Sequence, residues 1–224
     1  MSAISSVRPF LSQLLNQLQT ERAIVWLNGI TLLAFLALTV YVRLWSSGQV
    51  VERLFGAPFY ADHPYFGALT TLSNLLLCTT VAICGFSSVL LSQLHPRHKV
   101  DWFLVCSAGV IGLILLDRVF RITIILYVFE DIRKIVMFLF YGGISLIYGR
   151  VFWRRVLKTP YVLLLGTGGL LVFGAVVDMT PIPGEGTPAM LEDGSTLLAT
   201  LNLMIYMWIV CKQEFIRAFN RDRL

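Results

Sequence analysis

Between Phe66 and Leu94 the chain reads "FGALTTLSNLLLCTTVAICGFSSVLLSQL", without one charged residue. A run of about 18 or more apolar residues is long enough to cross a bilayer as a helix. Backbone in hydrocarbon must close its hydrogen bonds inside a helix or around a closed barrel. The run is too long and too continuously apolar for a barrel strand, which alternates over ~10 residues. A helical span is what remains. Apolar runs over 23–45, 102–129, 132–149, 161–178 and 189–211 add five more. The expected fold is therefore all-α, a polytopic transmembrane helical bundle of about six spans.

Composition agrees. Hydrophobic residues make up 57% of the chain and charged residues 14%, with mean hydropathy +0.75; soluble domains carry about 25% charged residues. No stretch is left that could build a soluble core. The organisation expected is an N-terminal interfacial segment over 1–22, one transmembrane domain over 23–211 and a basic tail over 212–224. In the first of these, "RPFLSQLLNQLQTER" places Phe10, Leu11, Leu14, Leu15 and Leu18 on one helical face, the pattern of a helix lying on a membrane surface.

The net charge of +5 is no nucleic-acid footprint, because the basic residues gather at helix ends. Their distribution gives an orientation instead. With the N-terminus in the cytoplasm, twelve Lys and Arg fall on inner segments, Arg97, Lys99, Arg154, Arg155 and Lys158 among them; four (Arg43, Arg53, Arg133 and Lys134) fall outside. Both termini are expected to be cytoplasmic, in the cytoplasmic (inner) membrane of a bacterium.

Against this background "GLILLDRVFRITIILYVFEDIRK", residues 112–134, is unusual, because Asp117, Arg118 and Arg121 interrupt an apolar helix. At 1.5 Å per residue Asp117 lies ~23 Å along a ~30 Å hydrocarbon core, toward the outer side. The three charges share a side of the helical wheel, and Asp117 and Arg121 stand i, i+4, so the spacing predicts an ion pair. One carboxylate does not balance two guanidinium groups, so further acidic partners are expected. Asp178 at the end of the fifth span, with Glu192 and Asp193 at the start of the sixth, stand at the same expected depth. Glu192, Thr196, Ala199 and Thr200 continue from there as a polar or small stripe. These six charges form a candidate outward-facing cluster, open to three readings: a clamp that locks helices together, a pocket for a ligand or for chemistry, or a contact with a partner subunit.

Other motifs speak for packing. "GTGGLLVFG", 166–174, lies inside a span with no preceding strand, so close helix approach explains its glycines better than phosphate binding does. Ala108 with Gly112 and Ser145 with Gly149 are small-xxx-small pairs. Ser73 and Asn74 in the second span read as interhelical hydrogen-bonding groups. His63, His95 and His98 all fall in loops, so no metal or haem site is expected, and no cofactor is identifiable. Cys78, Cys84, Cys106 and Cys211 lie in apolar runs and read as small buried hydrophobes.

"LLDRVFRIT" from Leu115, "FYGGISLIYG" from Phe140, "VVDM" with Asp178 and "LEDGSTLLAT" from Leu191 together resemble a group of uncharacterised bacterial multispanning membrane proteins. That group carries an LDD-x-F-x-x-HE-like segment, a Tyr-containing span, an Asp at a span end and an EDG-x-K-like segment. Two positions depart from its pattern: Thr123–Ile124 stands in place of His-Glu, and Thr196 in place of the Lys. If the group uses those residues for chemistry, the resemblance implies that this chain lacks it.

The expectation that follows is a protein acting by binding, as a subunit of a membrane complex or a holder of a lipid or pigment, with the bilayer, other membrane subunits or a lipid-like ligand as partners. A membrane enzyme on a lipid-like substrate, with Asp117, Asp178, Glu192 and Asp193 as acid/base groups, is the second reading. A small transporter lined by Ser73, Asn74, Thr200 and Asn202 is the third.

Overall fold

In a computed structural model of the chain, the residues described are 22–45, 53–56, 66–94, 101–130, 134–180 and 186–221. Residues 1–21 of the amphipathic segment expected over 1–22, the three histidines and the end of the tail lie outside them. The described residues form Arg22–Trp45 (α1), Ala68–Leu94 (α2), Trp102–Phe120 (α3), Ile122–Glu130 (α4), Lys134–Val151 (α5), Trp153–Val156 (α6), Tyr161–Met179 (α7) and Thr187–Arg221 (α8), with no strand among them.

The all-helical expectation holds. Among the described residues, four helices are long and apolar enough to cross a membrane: Ala68–Gln93, Trp102–Phe120, Tyr161–Met179 and Thr187–Asn220; Ile135–Val151 is a shorter apolar helix. The 35 residues of α8 amount to ~52 Å at 1.5 Å per residue, well beyond a ~30 Å hydrocarbon core.

The expected third span differs. It is not one helix over 102–129 but two, divided at Arg121, which adopts the left-handed conformation (φ 53°, ψ 38°). No Gly or Pro marks this break, and a non-glycine residue held there costs of order 1–2 kcal/mol.

The chain divides into two compact units. One contains α1, α7 and α8 up to Asn202; the other contains α2 through α6 and α8 from Leu203. In lipid, apolar side chains gain little by leaving lipid for protein, so close packing and hydrogen bonds have to hold helices together. Both units show this.

In the first, Gly174 of α7 lets the backbone of α8 come close: a Cβ added there would stand 2.7 Å from Ser195 Oγ and 3.2 Å from the Glu192 carbonyl oxygen. One face of α7 also presents Thr167, whose hydroxyl donates to its own helix at Leu163 (2.9 Å) and reaches the Ala199 carbonyl at 3.4 Å. The packing reading of the glycine run is thus true of Gly174 alone, since Gly166, Gly168 and Gly169 have open space where a Cβ would go. From α1, Asn28 Nδ2 donates to Asn202 Oδ1 at 2.7 Å.

In the second unit, Leu77, Thr80 and Cys84 of α2 and Leu104, Ser107 and Ile111 of α3 are buried, spaced three or four residues apart as a packed helical face requires, with Phe103 buried beside them. Gly112 meets Val81 at 3.9 Å, an ordinary contact, while Gly149 faces open space. Phe103, Tyr148 and Phe152 form an aromatic cluster with centroids 5.1–6.0 Å apart. Tyr148 and Ser107 share a hydrogen bond of 2.6 Å, and Tyr206 and Thr159 one of 2.9 Å. Hydroxyls on the helices are satisfied one turn back, as with Thr80 to the Leu76 carbonyl (2.7 Å) and Ser107 to that of Phe103 (2.7 Å).

Candidate functional site

The break at Arg121 explains the Asp in the apolar run. A helix that starts anew exposes backbone N–H groups with no partner inside it, and in a membrane water is not there to take them. Asp117, one turn before the break, accepts the Thr123 backbone N–H (2.8 Å) and the Thr123 hydroxyl (2.8 and 3.0 Å to its two oxygens). It thus serves α4 as an N-terminal cap from the preceding helix, with its negative charge at the positive end of that helix's dipole. Arg121 closes the junction through its backbone: its N–H goes to the Asp117 carbonyl, and its own carbonyl takes the Ile125 N–H at 3.0 Å.

The expected Asp117–Arg121 ion pair is not what forms. The Asp117 carboxylate is directed at Thr123, and the exposed Arg121 side chain makes no ion pair with it. Tyr141 of α5 lies close to Asp117 and Thr123. Arg118 donates from Nη1 to Ser73 Oγ on α2 at 2.9 Å. Around the break between α3 and α4, Asp117, Thr123, Tyr141, Arg118 and Ser73 thus form a polar group drawn from α2, α3, α4 and α5. Beside Ser73, the Asn74 Oδ1 is buried with no hydrogen-bond partner among the described residues.

The other three candidates, Asp178, Glu192 and Asp193, belong to the unit of α1, α7 and the first part of α8, and none of them is without a partner. The stripe on α8 packs inward. Ala199, Thr200 and Asn202 are buried, Ser195 and Thr196 both donate to the Glu192 carbonyl (2.8 and 2.9 Å), and Thr200 donates to that of Thr196 (2.7 Å).

A second polar cluster escaped the sequence reading. Asp101 caps α3 by accepting the Phe103 N–H at 3.2 Å and forms a two-pronged pair with Arg155, whose Nη1 and Nη2 reach its two oxygens, the second at 2.8 Å. Arg155 also approaches Glu214 of α8 at 3.8 Å and lies over the Phe103 ring at 5.4 Å; Glu214 in turn takes Arg217 at 2.8 Å. Only one local signal was available: an Asp directly before an apolar run is a helix N-cap. Nothing local ties it to Arg155 or Glu214.

Among the described residues no three His, Cys, Asp or Glu side chains come together as a metal site would require. Cys84 and Cys211 are both buried free thiols.

The chain belongs to the family described as Domain of unknown function (DUF8692), which matches residues 18–210. No curated protein matches the chain. No solved structure matches it either.

Proposed function

We propose that this is a six-span protein of a bacterial cytoplasmic membrane, with both termini inside, that acts by binding: it holds a partner subunit or a lipid-like ligand within the membrane. One observation carries this reading. The carboxylates whose partners are resolved are held by fixed groups: Asp117 by Thr123, and Asp101 and Glu214 by Arg155 and Arg217. An acid/base carboxylate needs an environment that leaves its proton free to move at working pH. A clamp holds its carboxylates in fixed hydrogen bonds and ion pairs, as Asp117 and Asp101 are held here.

Exposed apolar surface supports a binding role. No residue of α4 is buried, and Ile124, Ile125, Val128 and Phe129 are all exposed. On α5, Leu139, Leu146 and Ile147 are each more than 65% exposed. Such faces need lipid or protein against them. The excess of Lys and Arg on segments assigned to the inside supports the orientation.

The test is purification in mild detergent, followed by mass spectrometry for proteins, lipids and pigments that stay bound in fixed proportion. A stoichiometric membrane protein or lipid-like molecule is expected. A protein recovered alone that turns over a lipid, and loses the turnover in Asp117→Asn while keeping its fold, would overturn the proposal in favour of an enzyme.

A further inference from the structure

At the end of α5 the chain changes direction within a few residues. Phe152 leaves helical geometry (φ −100°, ψ 14°), α6 runs for one turn, and the Arg155 and Val156 N–H groups both return to the Phe152 carbonyl at 2.8 and 2.9 Å. The turn opens a cleft of about 440 Å³ lined by Arg150, Val151, Phe152, Trp153, Arg154 and Arg155. This volume is within the ~300–1,000 Å³ of small-molecule pockets.

One side of the cleft is built rigidly. Phe152 packs against Phe103 and Tyr148 at 5.4 and 5.1 Å, and Arg155 is held by Asp101 and Glu214 above the Phe103 ring. The other side carries charge that the protein does not neutralise. Arg150 and Arg154 are exposed and make no ion pair or hydrogen bond with any described residue. The carboxylates that touch the cleft's lining, Asp101 and Glu214, are taken by Arg155 and Arg217. Lys158, also exposed, follows one turn later. Beside these cations stand exposed apolar side chains: Val151 at 68%, Trp153 at 55% and Leu157 at 42%.

Guanidinium groups recognise phosphate in two-pronged fashion, and Trp favours the headgroup level of a bilayer. A free anion would use the arginines but not the apolar flank. A phospholipid uses both.

We propose that the Arg150–Arg155 cleft binds the phosphate of an anionic phospholipid, with Arg150 and Arg154 on the phosphate and the acyl chains beside Val151, Trp153 and Leu157. This assignment does not depend on the clamp reading of the Asp117 group, which lies at the opposite end of α3.

The full-length protein in nanodiscs of phosphatidylcholine with rising fractions of phosphatidylglycerol provides the test, with retained lipid counted by native mass spectrometry. Wild type should retain phosphatidylglycerol in preference to phosphatidylcholine, less so as ionic strength rises. Arg150→Gln with Arg154→Gln should weaken that preference about 30-fold, at ~1 kcal/mol per basic residue near the surface. Lys212→Gln, which removes an exposed basic residue outside the cleft, should leave it unchanged. Equal loss in Lys212→Gln would mean a diffuse surface field and would overturn the site. So would an unaltered preference in the double variant, or displacement of phosphatidylglycerol by inorganic phosphate at equal concentration, which would assign the cleft to a soluble anion. If the double Gln variant does not fold, Arg150→Lys with Arg154→Lys keeps the charge and removes the planar fork. Several-fold weaker retention is then expected, and unchanged retention overturns the site.

Discussion

Thr123 donates twice to Asp117, through its backbone N–H and through its hydroxyl, each at 2.8 Å to Oδ1. A charge that looks misplaced in an apolar helix thereby becomes the cap of the helix that follows. The fold and the polar group depend on each other at this point: the break at Arg121 creates donors that need an acceptor, and Asp117 is an acceptor placed in reach of them.

Removing the cap should cost more than removing its charge. Asp117→Ala leaves the Thr123 N–H and hydroxyl without their acceptor in a part-buried position, at a cost of about 1–3 kcal/mol. Asp117→Asn keeps one carbonyl oxygen for the N–H and should lose less, about 1 kcal/mol. Thermal or SDS-titration unfolding in detergent gives the order. An Asn variant as unstable as the Ala variant would mean that charge, rather than hydrogen bonding, is what Asp117 contributes.

Arg121 offers a complementary measurement. Because its side chain does not pair with Asp117, Arg121→Gln should be close to neutral and should add to Asp117→Asn without coupling, within ~0.5 kcal/mol. Arg121→Gly relieves a left-handed residue and should stabilise by about 1 kcal/mol, whereas β-branched Arg121→Val should destabilise. Rescue of Asp117→Asn by Arg121→Gln would restore the ion pair that the spacing suggests.

These two residues also mark where sequence reading succeeds and stops. Long apolar runs dictate helices because the membrane leaves no other way to satisfy backbone groups, so the all-helical class and most helix ranges were legible. The break was not: "DRVFRIT" holds no Gly or Pro, and the i, i+4 rule assumes an unbroken helix. Asp101 and Arg155, separated by 54 positions, meet only through the tertiary fold. Their pairing was illegible for that reason, although the capping position of Asp101 was open to reading.

The Asp101–Arg155–Glu214 group should behave as a coupled unit. Asp101→Asn preserves a cap for Phe103 while weakening the pair, so a double-mutant cycle with Arg155→Gln should give a coupling of about 1–2 kcal/mol. Arg155 is 41% exposed on its side chain, so solvent screening holds the value to this lower range, and it should fall further at high salt. A coupling near zero would reduce the pair to an incidental surface contact.

The proposed orientation is open to a labelling experiment. In a cysteine-free background, single cysteines near Gly56 and Gly186 should react with an impermeant reagent added from outside, and those near Lys158 and Arg221 should not. Reaction at Lys158 from outside would invert the assignment and place the Arg150–Arg155 cleft on the outer surface.

Gly174 provides the most local test of how the helices of the first unit are held. A methyl group there would meet Ser195 Oγ at 2.7 Å and the Glu192 carbonyl at 3.2 Å. The serine hydroxyl could rotate away, but it donates to that same carbonyl at 2.8 Å, and the carbonyl is backbone. Gly174→Ala should therefore push α7 and α8 apart locally and destabilise by about 1–3 kcal/mol, the usual range for overpacking. Gly168→Ala, six residues away in the same helix with open space at its Cβ, removes a helix-weakening glycine without a clash. It should be neutral or stabilise by up to ~1 kcal/mol. Adding Ser195→Ala to Gly174→Ala should return only part of the loss, because the Glu192 carbonyl remains. Full recovery would show that the serine hydroxyl alone sets the approach of the two helices, and equal effects of the two glycine substitutions would show that no close approach exists at Gly174.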